Sequence, residues 1–403
     1  MALIRVLSEH LTPAQYGQLA LLLTIPTFLY NVYVGGLSVT LGRFYSVAIE
    51  ENNFVVFQQM SGRLIKIGAC SVTGAGLCLM IGLYGLGRSE LILPVALTLV
   101  MSIFTSNFSA INHMQSAARY RGTVAFEVLL DALLRFGFVL GGMLWLGGTT
   151  NVALIGYTCS SAVVLGVTKL IFLNQTRHLK KIIQTNQRDW QSTLWNFLKP
   201  FLIFGVIVWV QSASDRWALQ TFTTETDVGK YAVLFQIGFL PMGIASNFLG
   251  NLISPIIYRL SGNGSDESRN SDSHRINWII AQVMFSLTLI GTLLAWLLHN
   301  WIFRIITNPS YHGVSNLLPW MVLAGGVFYT SQNLISQAVV ECRPYKLTKL
   351  KVSAAIFGTL CNIVGAAYAG VPGVVTALAI CSVSYLTWGL IIFAPPKKII
   401  SKI

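Results

Sequence analysis

Six ionisable residues lie within or at the ends of long apolar segments, where a charge is costly unless it is paired or reaches water. They are Arg5, Glu127, Asp131, Arg135, Asp215 and Arg216. Arginine is the cation best suited to phosphate, because its planar guanidinium matches two oxygens of one anion. The six residues therefore predict polar positions inside a membrane protein, and the three arginines favour an anionic ligand.

Two of the arginines occupy nearly equivalent positions in the two halves of the chain. Arg5 lies twelve residues before Gly17, and Arg216 lies thirteen residues before Gly229. One interpretation places both in a binding cavity. The alternative is that both are interfacial side chains that extend outward to water, with Arg216 tied to its neighbour Asp215.

The remaining three charges share one predicted helix over residues 123–145. Glu127, Asp131 and Arg135 are spaced four residues apart, which places them on one helical face. That face must turn toward protein or water. It predicts either a cavity wall, with an acid available for proton or sodium coupling, or a structural pair in which Asp131 and Arg135 neutralise each other.

The composition indicates what kind of chain positions these residues. Only 10% of the residues are charged, 54% are hydrophobic and the mean hydropathy is +0.64. These values are typical of an all-α polytopic membrane protein. We predict eleven full membrane spans preceded by a half span, because the apolar stretch at residues 1–11 is too short to cross a bilayer. The sequence offers no metal-spaced Cys/His cluster, phosphate-binding loop or catalytic constellation, so we predict neither an enzyme nor a cofactor.

The net charge of +13 is distributed unevenly among the predicted loops. When the loops are assigned to alternating sides, about 20 Lys and Arg residues fall on one side and about four on the other. This bias predicts that the first side is cytoplasmic and holds the basic linker 174–199 and the C-terminus. The positive charge then meets anionic membrane lipids, and we do not expect a nucleic-acid partner.

A weak internal repeat predicts the domain organisation. Gly17-Gln-Leu-Ala-Leu-Leu matches Gly229-Lys-Tyr-Ala-Val-Leu at an offset of 212 residues, although chance similarity of two apolar helices is an alternative. We therefore predict an N-terminal bundle over 1–173, a cytoplasmic linker over 174–199 and a C-terminal bundle over 200–403. The same offset predicts that most of the first helix of the N-terminal bundle is missing.

Two junctions in the sequence resemble a known family. Arg5-x-Leu7 followed by Leu11-Thr-Pro-Ala-Gln-Tyr-Gly17, and Asp215-Arg216 followed by Asp227-Val-Gly-Lys-Tyr-Ala232, are similar to the junctions of lipid-linked oligosaccharide (O-antigen type) flippases. These flippases belong to the multidrug/oligosaccharidyl-lipid/polysaccharide exporter superfamily. The resemblance implies two six-helix bundles around a central cavity in the bacterial cytoplasmic (inner) membrane. Without most of the first helix, the chain departs from that pattern.

The resemblance also implies a cargo and a mechanism. The expected substrate is an undecaprenyl-pyrophosphate-linked oligosaccharide moved outward by alternating access for surface polysaccharide assembly, and other polysaccharide assembly proteins are the expected partners. Arg5, Arg135 and Arg216 would then bind the pyrophosphate, with Glu127, Asp131 and Asp215 as cavity acids or coupling groups. Three alternatives stay open: an ion-coupled multidrug exporter, a membrane glycan polymerase or ligase, and a non-transporting partner of an assembly complex.

Overall fold

The protein is helical along the part of the chain that the computed structural model describes, which is residues 1–177, 189–261, 267–335 and 344–392. The long helices are α1 (Ala2–His10), α2 (Pro13–Leu22), α3 (Thr24–Leu29), α4 (Gly35–Glu50), α5 (Phe54–Gly85), α6 (Ile92–Ala117), α7 (Arg121–Leu146), α8 (Thr150–Gln175), α9 (Trp190–Phe222), α10 (Glu225–Ser261), α11 (Glu267–Ile306), α12 (Leu318–Ile335) and α13 (Pro344–Ile392). A π-helix (Tyr30–Val34) joins α3 to α4, and two 3₁₀ segments (Ser89–Leu91 and Pro309–Leu317) precede α6 and α12. This confirms the all-α fold.

Within the described residues, eight helical stretches have the length and hydropathy of a membrane span. The other three of the eleven predicted spans correspond to α7, which carries three charges, to α12, and to the second part of α13. The backbone of α13 leaves the helical conformation at Gly370 (φ 58°), where the sequence predicts a reversal. Several helices extend well beyond the predicted apolar segments, since hydrogen bonding along a helix continues past the hydrocarbon layer.

The chain divides into two compact units, which are described separately. Unit 1 comprises Met1–Gly17 and Val210–Ile403, and unit 2 comprises Gln18–Trp209. The predicted division into bundles over 1–173 and 200–403 follows the sequence repeat and stays a prediction. Residues 178–188 of the predicted linker and the C-terminal residues 393–403 lie outside the described residues.

Unit 2 is packed around an aromatic core on α4, α5 and α9. The Trp190 and Phe57 rings meet edge to face with centroids 5.3 Å apart, and both side chains are fully buried. Glycines bring the helices close together: a Cβ atom at Gly36 would lie 2.5 Å from the Phe201 Cβ. Small residues at such crossings allow tight van der Waals packing, the main source of helix association in lipid.

Unit 1 contains the two sequence-related junctions, and both fold in the same way. Thr12 and Gln15 cap α2 through Thr12 N–H to Gln15 Oε1 (3.0 Å) and Gln15 N–H to Thr12 Oγ1 (3.3 Å). Thr224 and Asp227, each 212 residues further on, cap α10 with the same pair of bonds, both at 3.3 Å. This reciprocal arrangement is a capping box. The matching bonds give the 212-residue offset a structural counterpart.

The two capped helices contact each other directly through the repeated glycines. A Cβ atom at Gly17 would overlap the Glu225 carbonyl oxygen, and one at Gly229 would overlap the Pro13 carbonyl oxygen. The backbones of α2 and α10 therefore approach too closely for any side chain at either position. The glycine pair explains why the repeat is clearest around these residues.

Candidate functional site

A polar cavity of about 310 Å³ opens within unit 2 and contains two of the six predicted residues. It lies among the π-helix, α6, α7 and α8. Its lining residues are Tyr30, Thr105, Phe108, Ser109, Asn112, His113, Asp131, Arg135, Ser161 and Val164. The volume is at the lower end of the range of ligand-binding pockets.

Asp131 and Arg135 form an ion pair at this cavity. Arg135 Nη2 donates to Asp131 Oδ2 at 2.7 Å, one helical turn apart on α7. The guanidinium carbon also lies 5.6 Å from the centroid of the Tyr157 ring, within the range of a cation–π contact. The pair is the one that the structural interpretation predicts, and a functional role of either charge stays a prediction.

Two residues that line the cavity carry hydrogen-bond donors without an acceptor. Among the described residues, Arg135 Nε and Asn112 Nδ2 are buried atoms with no hydrogen-bond partner. A buried donor without an acceptor costs about 1–3 kcal/mol. The acid at the cavity, Asp131, is already bound to Arg135. Arg135 and Asn112 therefore bring two buried N–H groups without an acceptor to the wall of the cavity.

Glu127 lies elsewhere, although it shares the predicted face of α7. Its side chain is fully buried, and its Oε1 accepts a hydrogen bond from Gln115 Nε2 at 3.0 Å. The same Gln115 Nε2 donates to Gln175 Oε1 at 3.2 Å, and Gln175 Nε2 donates to Thr123 Oγ1 at 3.1 Å. These contacts join α6, α7 and α8 through a buried amide cluster, whose members are not among the residues that line the cavity.

Asp215 and Arg216 belong to unit 1, where they are adjacent in the C-terminal third of α9. Tyr231 donates a 2.5 Å hydrogen bond to Asp215 Oδ2, and the Arg216 backbone N–H donates to Asp215 Oδ1 at 2.7 Å. The Arg216 guanidinium lies 4.8 Å from the centroid of the Phe235 ring and donates to the Ser212 carbonyl oxygen at 3.2 Å. Asp215 is therefore held by neutral and backbone donors as well as by its neighbour.

Arg5 also belongs to unit 1 and contacts the end of a helix. Its Nη1 donates to the carbonyl oxygens of Thr307 (3.0 Å) and Arg304 (3.3 Å), and its Nη2 pairs with Glu9 at 3.3 Å. A cation at this position satisfies carbonyl groups that the C-terminus of α11 leaves unpaired. A role of Arg5 or Arg216 in pyrophosphate binding stays a prediction.

The structure adds site residues that the sequence analysis did not single out. Tyr30, Asn112 and His113 line the cavity with Asp131 and Arg135, and Gln115 donates both to Glu127 and to Gln175. A signal was present in α6, where Asn107, Asn112, His113 and Gln115 interrupt an apolar sequence. Without the packing of α6 against α7 and α8, however, that signal does not separate cavity residues from interhelical contacts.

Comparison with known proteins identifies the fold. No protein-family model and no curated protein sequence matches the chain. Among solved structures, the lipid II flippase MurJ in an inward closed conformation aligns with a TM-score of 0.69 at 12% identity, covering 100% of this chain and 86% of that one. An inward-facing multidrug resistance MATE family transporter of the MOP superfamily aligns with a TM-score of 0.64 at 12% identity, covering 98% and 94%.

A third solved structure has a title that concerns the polarity of its binding pocket. It is a MOP superfamily transporter from Pyrococcus furiosus, described as having a pocket of reverse polarity that suggests a different function. It aligns with a TM-score of 0.53 at 13% identity, covering 97% of this chain and 95% of that one. Together these similarities show that the chain has the fold of MOP superfamily transporters and is a multi-pass membrane protein.

Proposed function

We propose that this protein is a flippase of the MOP fold that moves a lipid-linked, phosphate-bearing oligosaccharide across the bacterial inner membrane by alternating access. The proposed cargo is an undecaprenyl-pyrophosphate-linked repeat unit used to assemble O-antigen, capsule or exopolysaccharide. The observation that carries the proposal is that two residues lining the unit 2 cavity, Arg135 and Asn112, have N–H groups without an acceptor among the described residues. The similarity in fold to MurJ, a lipid II flippase, supports a lipid-linked cargo.

The charge at the cavity favours an anionic cargo over a cationic one. Asp131 is bound to Arg135 at 2.7 Å, whereas Arg135 Nε and Asn112 Nδ2 have no acceptor among the described residues. A phosphate oxygen that reached these two N–H groups would accept charge-assisted hydrogen bonds from them, and such bonds are stronger than those between neutral groups. A cation would have to take Asp131 from Arg135 and would leave that arginine unpaired beside it.

A multidrug exporter is the second candidate, because MATE transporters share the fold at a similar TM-score. In that case Asp131 would be the group that binds a cationic drug. The two candidates make opposite demands on the ion pair, so two variants that each remove one of its charges separate them.

The test compares Arg135→Gln with Asp131→Asn in a host from which the gene has been deleted. For a flippase, Arg135→Gln should lower transport about tenfold or more, since hydrogen bonds to a charged group contribute about 1.5–3 kcal/mol. Asp131→Asn should retain transport, because it frees the guanidinium. The measurement is the amount of polyprenyl-pyrophosphate-linked repeat units that accumulate facing the cytoplasm.

Two outcomes would contradict the proposal. One is a deletion host with normal lipid-linked glycans that becomes sensitive to cationic compounds and is rescued by Arg135→Gln but not by Asp131→Asn. This result would assign the exporter function. The other is accumulation that both variants relieve equally, which would show that the cavity does not bind the anionic part of the cargo.

A further inference from the structure

The π-helix Tyr30–Val34 is an irregular element at the edge of the cavity, where the preceding helix is also interrupted. The Gly35 N–H bonds the Tyr30 carbonyl oxygen, five residues back, which is the hydrogen bond that defines a π-turn. Pro26 lies one turn before it and has no N–H to donate. Single π-turns inside α-helices are rare. Those that do occur are often found at functional sites.

Neighbouring helices hold this turn on two sides. Tyr33 donates a 2.6 Å hydrogen bond to the Leu64 carbonyl oxygen on α5, and its ring covers Gly68 so closely that a Cβ atom there would overlap it. On the other side, a Cβ atom at Gly205 of α9 would overlap the Asn31 carbonyl oxygen. The π-turn is therefore a packed conformation that glycines on both neighbouring helices allow.

The side chain that this turn presents to the cavity is Tyr30. It is 43% exposed, and it lines the same cavity as Asp131 and Arg135. Its phenol can donate or accept a hydrogen bond, and its ring presents an apolar face. Nearby, Thr105 and Ser161 donate their hydroxyl protons to carbonyl oxygens of their own helices, so each hydroxyl oxygen can still accept a hydrogen bond.

The wall of the cavity thus combines two kinds of chemistry. Arg135 and Asn112 supply donors for an anion, while Tyr30, Thr105 and Ser161 supply an aromatic face with mixed donors and acceptors. A sugar ring presents hydroxyl groups that both donate and accept, together with an apolar C–H face. We infer that Tyr30, positioned by the π-turn, contacts the sugar that is attached to the phosphate group and sets the preference of the site for a glycosylated cargo.

This inference rests on the proposed function, and a binding experiment separates the two. The purified full-length protein in nanodiscs is titrated with farnesyl diphosphate and with the same lipid diphosphate carrying one N-acetylglucosamine. The wild type should bind the sugar-bearing probe about tenfold more tightly, as expected for one or two additional neutral hydrogen bonds and an aromatic contact. Tyr30→Ala should bring this ratio close to one and leave the affinity for farnesyl diphosphate unchanged.

Three further variants control the result. Tyr30→Phe keeps the ring and should retain part of the ratio, and Tyr33→Phe removes only the bond to Leu64 and should lower the ratio by loosening the turn. Tyr84→Ala replaces a tyrosine on α5 that is 73% exposed and is not among the cavity-lining residues, so it should change nothing. Unfolding midpoints of all variants identify any that fail to fold. If Tyr30→Ala does not fold, the binding ratio of Tyr30→Phe is the test of the inference.

The outcomes are distinct. If the wild type binds neither probe, the proposed function fails. If the wild type binds both probes equally, or if Tyr30→Ala keeps the full ratio, anion binding stands and the assignment of Tyr30 is overturned.

Discussion

At the scale of single residues, burial and partners distinguish the charged groups of α7. Asp131 and Arg135 pair at a cavity, and Glu127 is fully buried one turn earlier among neutral amides. A buried carboxyl group is tolerated when it is hydrogen-bonded, and the Gln115 amide supplies that bond. Identical spacing along a helix therefore produced two different environments.

The Glu127 cluster leads to a stability prediction. Glu127→Gln should change the free energy of unfolding little, because the amide oxygen of Gln can accept the bond from Gln115. Glu127→Leu should destabilise the protein by about 1–3 kcal/mol, since it removes that acceptor from a buried donor. Equilibrium unfolding in mixed detergent micelles measures both variants. Equal effects of Gln and Leu would show that the hydrogen bond does not contribute.

At the scale of elements, the fold depends on places where backbones approach closely. The repeated glycines, Gly17 and Gly229, let the capped starts of α2 and α10 touch, and Gly205 lets α9 pack on the π-turn. In lipid, where apolar side chains gain little by leaving their surroundings, such close packing supplies much of the association between helices. The packing therefore requires glycine at these positions. Some of the glycines on α5, such as Gly82, face open space instead.

The glycine contact in unit 1 can be tested with a matched pair of substitutions. Gly229→Ala should destabilise the protein by about 2–3 kcal/mol, because the new methyl group overlaps the Pro13 carbonyl oxygen and the helices must separate. Gly82→Ala on α5 has no atom within 4 Å of the new Cβ and should leave stability unchanged or raise it by about 0.5–1 kcal/mol. Thermal unfolding in detergent compares them, and similar midpoints for the two variants would contradict the close approach.

At the scale of the whole molecule, the orientation in the membrane that the basic loops predict stays a prediction. Arg119 lies in the loop between α6 and α7 and Arg121 begins α7, whereas the loop after α5 contains a single basic residue, Arg88. Cytoplasmic loops carry the excess of Lys and Arg in multi-pass proteins. These two loops should therefore lie on opposite sides of the membrane.

Reporter fusions test this orientation. Alkaline phosphatase, which is active only outside the cytoplasm, should be active when fused after Gly87 and inactive when fused after Arg119. A fluorescent protein that folds only in the cytoplasm should give the reverse pattern at the same two positions. Activity of the phosphatase at Arg119 would overturn the assignment of the cytoplasmic side.

The sequence by itself determined the class of this protein, because hydropathy and the scarcity of charge are properties of the chain that do not depend on how the helices pack. It also identified Asp131 and Arg135 as neighbours, since residues four apart on a helix must be close. Only the tertiary structure decided that Tyr30, Asn112 and His113 join them at a cavity and that Glu127 does not. The physical reason is that contacts between helices depend on their rotation and register, and an apolar sequence with scattered polar residues permits many of these.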